Sequence, residues 1–198
     1  EPLPDDPLHG ARARGSLDRA ALEAMVNPAR CERLRAVVSA RRNNPALVLE
    51  DVWDPHNISA ILRTLEGLGL HRVFVIEATI GFEPNPQVSQ GAHKWLDVRR
   101  HAKVLPCVAD VHALGYRLLA TRMDADVTLP DVDWSIPTAV VLGNEREGVS
   151  DELLAHVDGT FRIPMAGFAQ SFNVSVAAAL IAGYATFRSA HDPKAGLP

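Results

Sequence analysis

The chain has 198 residues, of which 47% are apolar and 22% are charged, and its formal net charge is −4. This composition is typical of one globular domain of ordinary size, and it argues against attraction of nucleic acid by bulk charge. The longest apolar-leaning run, residues 173–187, contains Asn, Ser and Thr and is shorter than the roughly 20 residues that span a bilayer, so we expect no membrane segment.

Positive charge is concentrated near the start of the chain. Residues 12–42 contain eight arginines and three acidic residues, a net charge of +5 over 31 residues. A second basic cluster contains Lys94, Arg99, Arg100 and Lys103. Either cluster could be a solvated surface. Because guanidinium groups pair bidentately with phosphate, the arginine-rich cluster is also a candidate contact for nucleic acid.

The first predicted helix covers residues 28–42. Asn27 is a favoured cap and Pro28 a favoured residue in the first turn. The apolar stripe of this helix is predicted at Leu34, Val37 and Val38. Its basic face is predicted at Arg30, Arg33 and Arg41.

Beyond residue 45 the hydrophobic pattern alternates between strands and helices. The predicted strands are 46–50, 72–76, 117–121, 138–143 and 160–164. The predicted helices are 58–69 with Asn57 as cap, 108–115, 151–157 with Ser150 as cap, and 172–190. Residues 78–90 are predicted as a long loop. Alternating strands and helices predict an α/β protein with a largely parallel sheet.

Polar residues follow three of the predicted strands, at the sheet edge where such proteins bind ligands. The segments are "EDVWDPHNISAILR", "NEREG" and "IPMAGFAQSFNVSVAA". Each alone could supply helix caps or surface residues, whereas three at three strand ends favour a site. Glycines at two of these strand ends, Gly143 and Gly167, would let the backbone approach a ligand. The chain has neither GxGxxG nor GxxxxGK[ST], so no dinucleotide or P-loop site is indicated.

Three segments resemble the ordered motifs of the SPOUT methyltransferases: "DPHNISAILRT", "VVLGNEREGVSDELL" and "RIPMAGFAQSFNVSVAAAL". They are most similar to the TrmH (SpoU) family of tRNA (guanosine-2'-O-)-methyltransferases, and "GAHKW" resembles the tRNA members rather than the ribosomal ones. The similarity runs from about Glu32 to Phe187. It implies a mostly parallel α/β sheet with helices on both faces and a deep C-terminal trefoil knot.

The resemblance also implies an activity: methyl transfer from S-adenosylmethionine to the ribose 2'-hydroxyl of a guanosine in tRNA, the D-loop guanosine at position 18. It implies a homodimer with sites completed across the dimer, and no metal. A 2'-O-methyltransferase for ribosomal RNA, a non-catalytic RNA-binding knot protein and a small-molecule methyltransferase are the alternatives. The two cysteines match no metal-ligand spacing and indicate a reducing cytoplasm.

Roles are predicted for three groups of residues, the first two from the resemblance and the third from the placement of basic residues. The catalytic group is Arg63, Asn57, Glu145, Ser171 and Asn173. The cofactor-binding group is Thr121, Leu142, Gly143, Asn144, Ile163, Met165 and Phe172. The RNA-binding group is Arg30, Arg33, Arg41, Arg42, His56, Lys94 and Arg99.

Arg63 would activate the 2'-hydroxyl, although a guanidinium is protonated at ordinary pH. Either a substrate phosphate and the surrounding residues together shift Arg63 far enough for it to accept a proton, or Arg63 stabilises the alkoxide while another group takes the proton.

Three regions are predicted along the chain. Residues 1–45 form an arginine-rich helical extension for RNA binding, 46–190 form the methyltransferase domain, and 191–198 form a short tail. We expect no secretion signal, because no basic segment followed by an apolar one opens the chain. Family members often carry further helices that grip tRNA after the knot, so RNA binding would depend on the two basic clusters.

Overall fold

The computed structural model describes residues 26–79, 81–82 and 84–190, and the chain divides into two units between Ala40 and Arg41. Of the predicted extension, residues 1–25 lie outside the described residues, as does the predicted tail, 191–198. In the first unit, helix α1 covers Pro28–Ser39. Its cap is Asn27, as predicted, whose side chain accepts a hydrogen bond from the Ala29 N–H at 2.9 Å.

The predicted helix 28–42 is too long. It ends at Ser39, and Arg41 therefore does not share a helical face with Arg30 and Arg33. The reason lies in the backbone of Arg42, whose N–H donates to the Gly69 carbonyl at 2.9 Å instead of continuing the helix. No residue of α1 is buried, so the predicted apolar stripe does not form a buried face.

The second unit contains a six-stranded sheet in the order β3-β2-β1-β5-β4-β6, in which all neighbouring strands are parallel. The strands are β1 (Ala46–Glu50), β2 (Arg72–Ile76), β3 (Asp97–His101), β4 (Arg117–Thr121), β5 (Thr138–Leu142) and β6 (Gly159–Phe161). The predicted parallel α/β sheet is confirmed. The threading of the implied trefoil knot stays a prediction.

Helices cover both faces of the sheet. They are α2 (Pro55–Gly67), α3 (Pro86–Ser89), α4 (Val104–Ala113), α5 (Asp151–Leu154) and α6 (Val174–Ala190), with 3₁₀ turns at Ala92–Trp95 and Leu129–Asp131. Successive residues of β1 point to opposite faces, because side chains alternate along a strand. Leu47 and Leu49 belong to the core under α2 and α6, and Ala46 and Val48 to the core under α4 and α5. None of the described helices is long and apolar enough to cross a membrane.

The cap of α2 was predicted one turn too late. The helix begins at Pro55, and its cap is Asp54, whose carboxylate accepts the His56 N–H at 2.9 Å. Asn57 therefore lies inside the first turn, and its side chain is available for another contact. The predicted cap of α5 is confirmed, since the Ser150 hydroxyl accepts the Leu153 N–H at 3.1 Å.

Strand β3 was missed by the sequence analysis, which placed its residues in a basic cluster. Its sequence, "DVRRH", has no apolar alternation. Ion pairs hold it at the sheet edge instead: Arg72 with Asp97, Arg99 with Asp97 and Asp110, and Arg100 with Glu77. Apart from the Arg99–Asp97 pair within the strand, these ion pairs join β3 to β2, to the residue after β2 and to α4, so local periodicity contains no signal for the strand.

The sheet order determines where the candidate motifs meet. Strands β1 and β5 are neighbours, and β4 lies between β5 and β6. In a parallel sheet the carboxyl ends of neighbouring strands lie at one edge. The loops after β1, β5 and β6, which carry the three motifs, therefore converge on that edge.

Candidate functional site

A cavity of about 750 Å³ lies at the carboxyl ends of β4, β5 and β6. It is within the size range of small-molecule sites. Every residue predicted to bind the cofactor lines it: Thr121, Leu142, Gly143, Asn144, Ile163, Met165 and Phe172. Glu145, Ser171 and Asn173 of the predicted catalytic group line it as well. The structure thus brings these residues together, and their roles stay predictions.

The loop after β5 is closed by the side chain and backbone of Asn144. Its amide Nδ2 donates to the Asp51 carbonyl at 2.8 Å, and its Oδ1 accepts the N–H groups of Arg146 and Glu147 at 2.9 and 3.3 Å. The Asn144 carbonyl accepts the Gly148 N–H at 2.9 Å. The Asn144 side chain is therefore committed to shaping the cavity wall, and a ligand would meet the backbone of this residue.

Glu145 joins the loop after β5 to the loop after β1. Its carboxylate accepts the backbone N–H groups of Trp53 at 3.2 Å and Asp54 at 3.4 Å, and the side-chain amide of Asn57 at 3.0 Å. An ionised carboxylate only accepts hydrogen bonds, so the contact fixes the orientation of the Asn57 amide. Its NH₂ faces Glu145 and its oxygen faces away.

That oxygen reaches the third motif. The Asn173 Nδ2 donates to Asn57 Oδ1 at 3.1 Å, and Asn173 Oδ1 accepts the N–H and the hydroxyl of Ser175 at 2.9 and 2.6 Å. A continuous chain of hydrogen bonds, Glu145–Asn57–Asn173–Ser175, therefore links the three motifs. Ser175 was absent from the predicted site, although it lies in the quoted segment "IPMAGFAQSFNVSVAA", in which Ser171, Asn173 and Ser175 alternate with apolar residues.

Two members of the predicted catalytic group, Asn57 and Arg63, do not line the cavity. Asn57 is joined to the lining by its hydrogen bonds to Glu145 and Asn173, whereas the Arg63 side chain is exposed. Arg63 lies six residues after Asn57 on α2, about 120° around the helix axis. Within one chain, the two side chains therefore leave the helix in different directions.

The candidate RNA contacts differ in how accessible their charge is. Arg30, Arg33, His56 and Lys94 are exposed, and Arg42 is partly buried. The Arg41 guanidinium donates to the Trp95 carbonyl at 2.5 Å. A backbone carbonyl does not neutralise a positive charge, so Arg41 stays a candidate for phosphate contact together with the exposed residues.

Arg99 differs from these residues because it is paired with two carboxylates. It contacts Asp97 at 3.2 Å and Asp110 at 2.9 Å. Partial burial would raise the pKa of Asp97, but hydrogen bonds and charge from Arg99 and Arg72 outweigh it and lower that pKa. Asp97 therefore stays ionised, and the predicted contact between Arg99 and phosphate would have to compete with it.

Among the described residues, there is no group of three or more His, Cys, Asp or Glu side chains that could hold a metal ion. The polar groups that line the cavity are amides, hydroxyls, backbone groups, the carboxylates of Glu145 and Glu147, and three guanidinium groups.

The matches to known proteins agree with this geometry. A family model described as the SpoU rRNA Methylase family matches residues 44–183. The tRNA (guanosine(18)-2'-O)-methyltransferase of Thermus thermophilus is 40% identical over 154 residues, which are 77% of this chain and 79% of that protein. The crystal structure of the TrmH/SpoU tRNA modifying enzyme of A. aeolicus superposes with a TM-score of 0.76 at 31% identity, covering 85% of this chain and 86% of that one. The SpoU methyltransferase AviRb from Streptomyces viridochromogenes, in complex with AdoMet, has a TM-score of 0.66 at 28% identity, covering 76% and 62%.

Proposed function

The chain belongs to the SpoU rRNA methylase family, and we propose that it methylates the ribose 2'-hydroxyl of a guanosine in tRNA, the guanosine at position 18, with S-adenosylmethionine as the methyl donor. The observation that carries this proposal is the hydrogen-bond chain from Glu145 through Asn57 to Asn173 at the edge of the cavity. It orders polar groups from three motifs beside a cavity large enough for the cofactor.

The lining fits S-adenosylmethionine. Leu142, Ile163 and Phe172 supply apolar walls, and Gly143 leaves backbone accessible between them. The Thr121 hydroxyl is fixed by donating to the Val141 carbonyl at 3.2 Å. When bound, S-adenosylmethionine supplies an electrophilic methyl group on a positively charged sulfur. Together with Asn144 and Met165, these residues would hold the cofactor against the strand ends.

The remaining residues act on the ribose. A hydroxyl is a poor nucleophile, so much of the rate must come from holding it in line with the methyl group. Ser171 and Asn173 would orient the ribose, and Asn57 and Glu145 would hold Asn173 in place. Arg63 would stabilise the developing alkoxide as a cation while another group takes the proton of the hydroxyl. Accepting that proton itself would require a neutral guanidine, which a nearby phosphate disfavours.

The test is incubation of the purified chain with methyl-labelled S-adenosylmethionine and unmodified total tRNA and ribosomal RNA, followed by mapping of the label. We expect label on the 2'-oxygen of guanosine 18 in tRNA. Label in ribosomal RNA alone would indicate the alternative activity, a 2'-O-methyltransferase of the same fold that acts on ribosomal RNA. RNA binding without label would indicate the other alternative, a non-catalytic RNA-binding protein.

RNA affinity is proposed to depend on α1, whose exposed arginines include Arg30 and Arg33. Replacing both with alanine should weaken tRNA binding and flatten its salt dependence by roughly 0.7 to 0.9 in log–log slope for each phosphate that is no longer neutralised. Filter binding over a salt series measures both quantities. Glu32→Gln on the same helix is the matched control, because it removes a negative charge and should not weaken binding. An unchanged slope in the double variant would make α1 a solvated surface.

The chain is further proposed to act as a homodimer in the cytoplasm, where its tRNA substrate is found. The support is an exposed apolar face on α6, formed by Val176, Leu180 and Phe187. These positions are four and seven residues apart, which places them on one side of a helix. An exposed apolar face of this kind marks an interface, and two-fold symmetry is the commonest arrangement of homo-oligomers.

Leu180→Asp should therefore give a monomer in light scattering, because a charge would be buried in the dimer. Leu105→Asp is the matched control: Leu105 is a 55% exposed leucine on α4, compared with 39% for Leu180. A parent chain that is monomeric at micromolar concentration, or a dimeric Leu180→Asp variant, would contradict the proposal.

A further inference from the structure

Three arginine–aromatic pairs occur among the described residues, and one of them differs from the others in position. The Arg146 guanidinium carbon lies 5.5 Å from the centroid of the Trp53 ring. Trp53 is 46% exposed, and Arg146 lines the cavity. In the second pair, Arg72 stacks on Tyr116, which is only 4% exposed. The third pair is Arg188 over Tyr184, one turn apart on α6.

Both members of the Trp53–Arg146 pair are held by the residues that order the site. The Trp53 N–H donates to the Glu145 carboxylate at 3.2 Å, and the Arg146 N–H donates to Asn144 Oδ1 at 2.9 Å. Glu145 and Asn144 also shape the cavity wall. The position of the indole is therefore coupled to the same hydrogen bonds that hold Asn57.

An exposed indole beside a guanidinium has the chemistry of a stacking site for a nucleobase. Proteins that act on single-stranded nucleotides stack the base on aromatic rings or on arginine planes. A guanidinium also offers paired donors that match the O6 and N7 acceptors of guanine. A ribose 2'-hydroxyl that reaches the cavity requires its nucleotide to leave the stack of its neighbours, which leaves the base in need of a new surface.

We propose that Trp53 and Arg146 form the binding subsite for the guanine base of the methylated nucleotide. Trp53 contributes the stacking face, which the Arg146 guanidinium covers in the free protein. Arg146 moves aside for the base and contributes donors to its acceptor edge. This inference rests on the proposed function, because it names the part of the RNA that the same site holds. It makes the pair a determinant of affinity and base choice, separate from Arg63 and from the arginines of α1.

The experiment crosses changes in the protein with changes in the RNA. Parent, Trp53→Ala and Trp53→Phe chains are titrated, with S-adenosylhomocysteine present, against tRNA carrying either guanosine or an abasic ribose at the methylated position. We expect Trp53→Ala to weaken binding of the guanosine tRNA about tenfold. On the abasic tRNA, Trp53→Ala should bind like the parent, because the stacking partner is already missing. Trp53→Phe should recover most of the affinity, since phenylalanine also offers a ring face.

Arg146 is tested in the same cycle. Arg146→Gln should reduce two base preferences by different amounts. The preference for guanosine over adenosine should fall more, because adenosine presents a donor at that edge. The preference for guanosine over inosine should fall less, because inosine keeps O6 and N7. Arg146→Lys keeps a charged donor that can still reach O6 and N7, so it should keep more of the guanosine preference than Arg146→Gln. Calorimetric titration of each variant with S-adenosylhomocysteine verifies that the cavity is intact.

Several results would overturn the inference. The base does not stack on Trp53 if the Trp53→Ala chain binds guanosine tRNA like the parent. The same holds if this variant loses equal affinity for the guanosine and the abasic tRNA. A Trp53→Ala chain that becomes monomeric in light scattering makes the indole part of a subunit interface. Failure of the proposed function is distinguishable from these results, because it appears as a parent chain that methylates no tRNA.

Discussion

Arg63→Ala is expected to lower the single-turnover rate of methyl transfer about 100- to 1000-fold, while tRNA and cofactor affinities stay close to those of the parent. The rate falls because no other positive group of the catalytic set remains to stabilise the alkoxide. Binding persists because Arg63 does not line the cavity. Rapid-quench kinetics with saturating chain measure the rate, and filter binding and calorimetry measure the two affinities.

The control for this prediction is the Arg30/Arg33 double variant, which should show the opposite pattern of weak tRNA binding and a normal rate at saturating RNA. Arg63→Lys distinguishes the two roles considered for Arg63. A lysine keeps the positive charge and should recover part of the rate if the charge stabilises the alkoxide. An Arg63→Ala chain that keeps most of its single-turnover rate would remove Arg63 from the mechanism.

The strands that the sequence predicted well are those whose residues are buried on both faces. All five residues of β1 and of β5 are buried, and each strand contains an apolar run of four residues, 46–49 in β1 and 139–142 in β5. Strand β3 has no such run, because it lies at the sheet edge and is stabilised by ion pairs with β2 and α4. Those partners are fixed by the tertiary fold and leave no periodic signal in the strand itself.

The candidate site shows the same division. The convergence of three motifs could be predicted, because each follows a strand and parallel strands end at one edge. The pairing within the site could not. Asn57 was expected to cap a helix, whereas Asp54 caps α2 and thereby leaves the Asn57 amide to join Glu145 and Asn173. Trp53 drew no attention because its partner, Arg146, belongs to a different motif.

Gly143→Ala is expected to abolish detectable cofactor binding. A Cβ at Gly143 would lie 2.1 Å from the Gly148 carbonyl oxygen, 2.2 Å from its carbon and 2.3 Å from the Val149 nitrogen. These are backbone atoms, so no side-chain rotation can relieve the clash. The loop that carries Asn144 and Glu145 must move as a whole, and it forms one wall of the cavity. The sequence had suggested Gly143 as a place where the backbone approaches a ligand, whereas a Cβ there would meet the backbone of the same loop.

The displaced loop should also cost about 1–3 kcal/mol of the free energy of unfolding, a typical penalty for overpacking. Calorimetry measures cofactor binding, and urea denaturation measures stability. Gly167→Ala is the matched control: it lies in the loop after β6, and a Cβ there would meet nothing within 4 Å. It should keep both properties. Parent-like cofactor affinity in Gly143→Ala would show that the loop can yield without disturbing the cavity.

The two variants together determine which chain supplies Arg63. In a hybrid dimer of one Arg63→Ala chain and one Gly143→Ala chain, each chain lacks one element of the site. If Arg63 acted within its own chain, neither site would be complete and the hybrid would be inactive. We expect activity to return, because Arg63 leaves α2 about 120° away from Asn57 and therefore points away from its own site. One complete site would then form, from the cavity of the Arg63→Ala chain and the arginine of its partner. Co-expression with two different affinity tags isolates the hybrid, and an inactive hybrid would place Arg63 in its own chain's site.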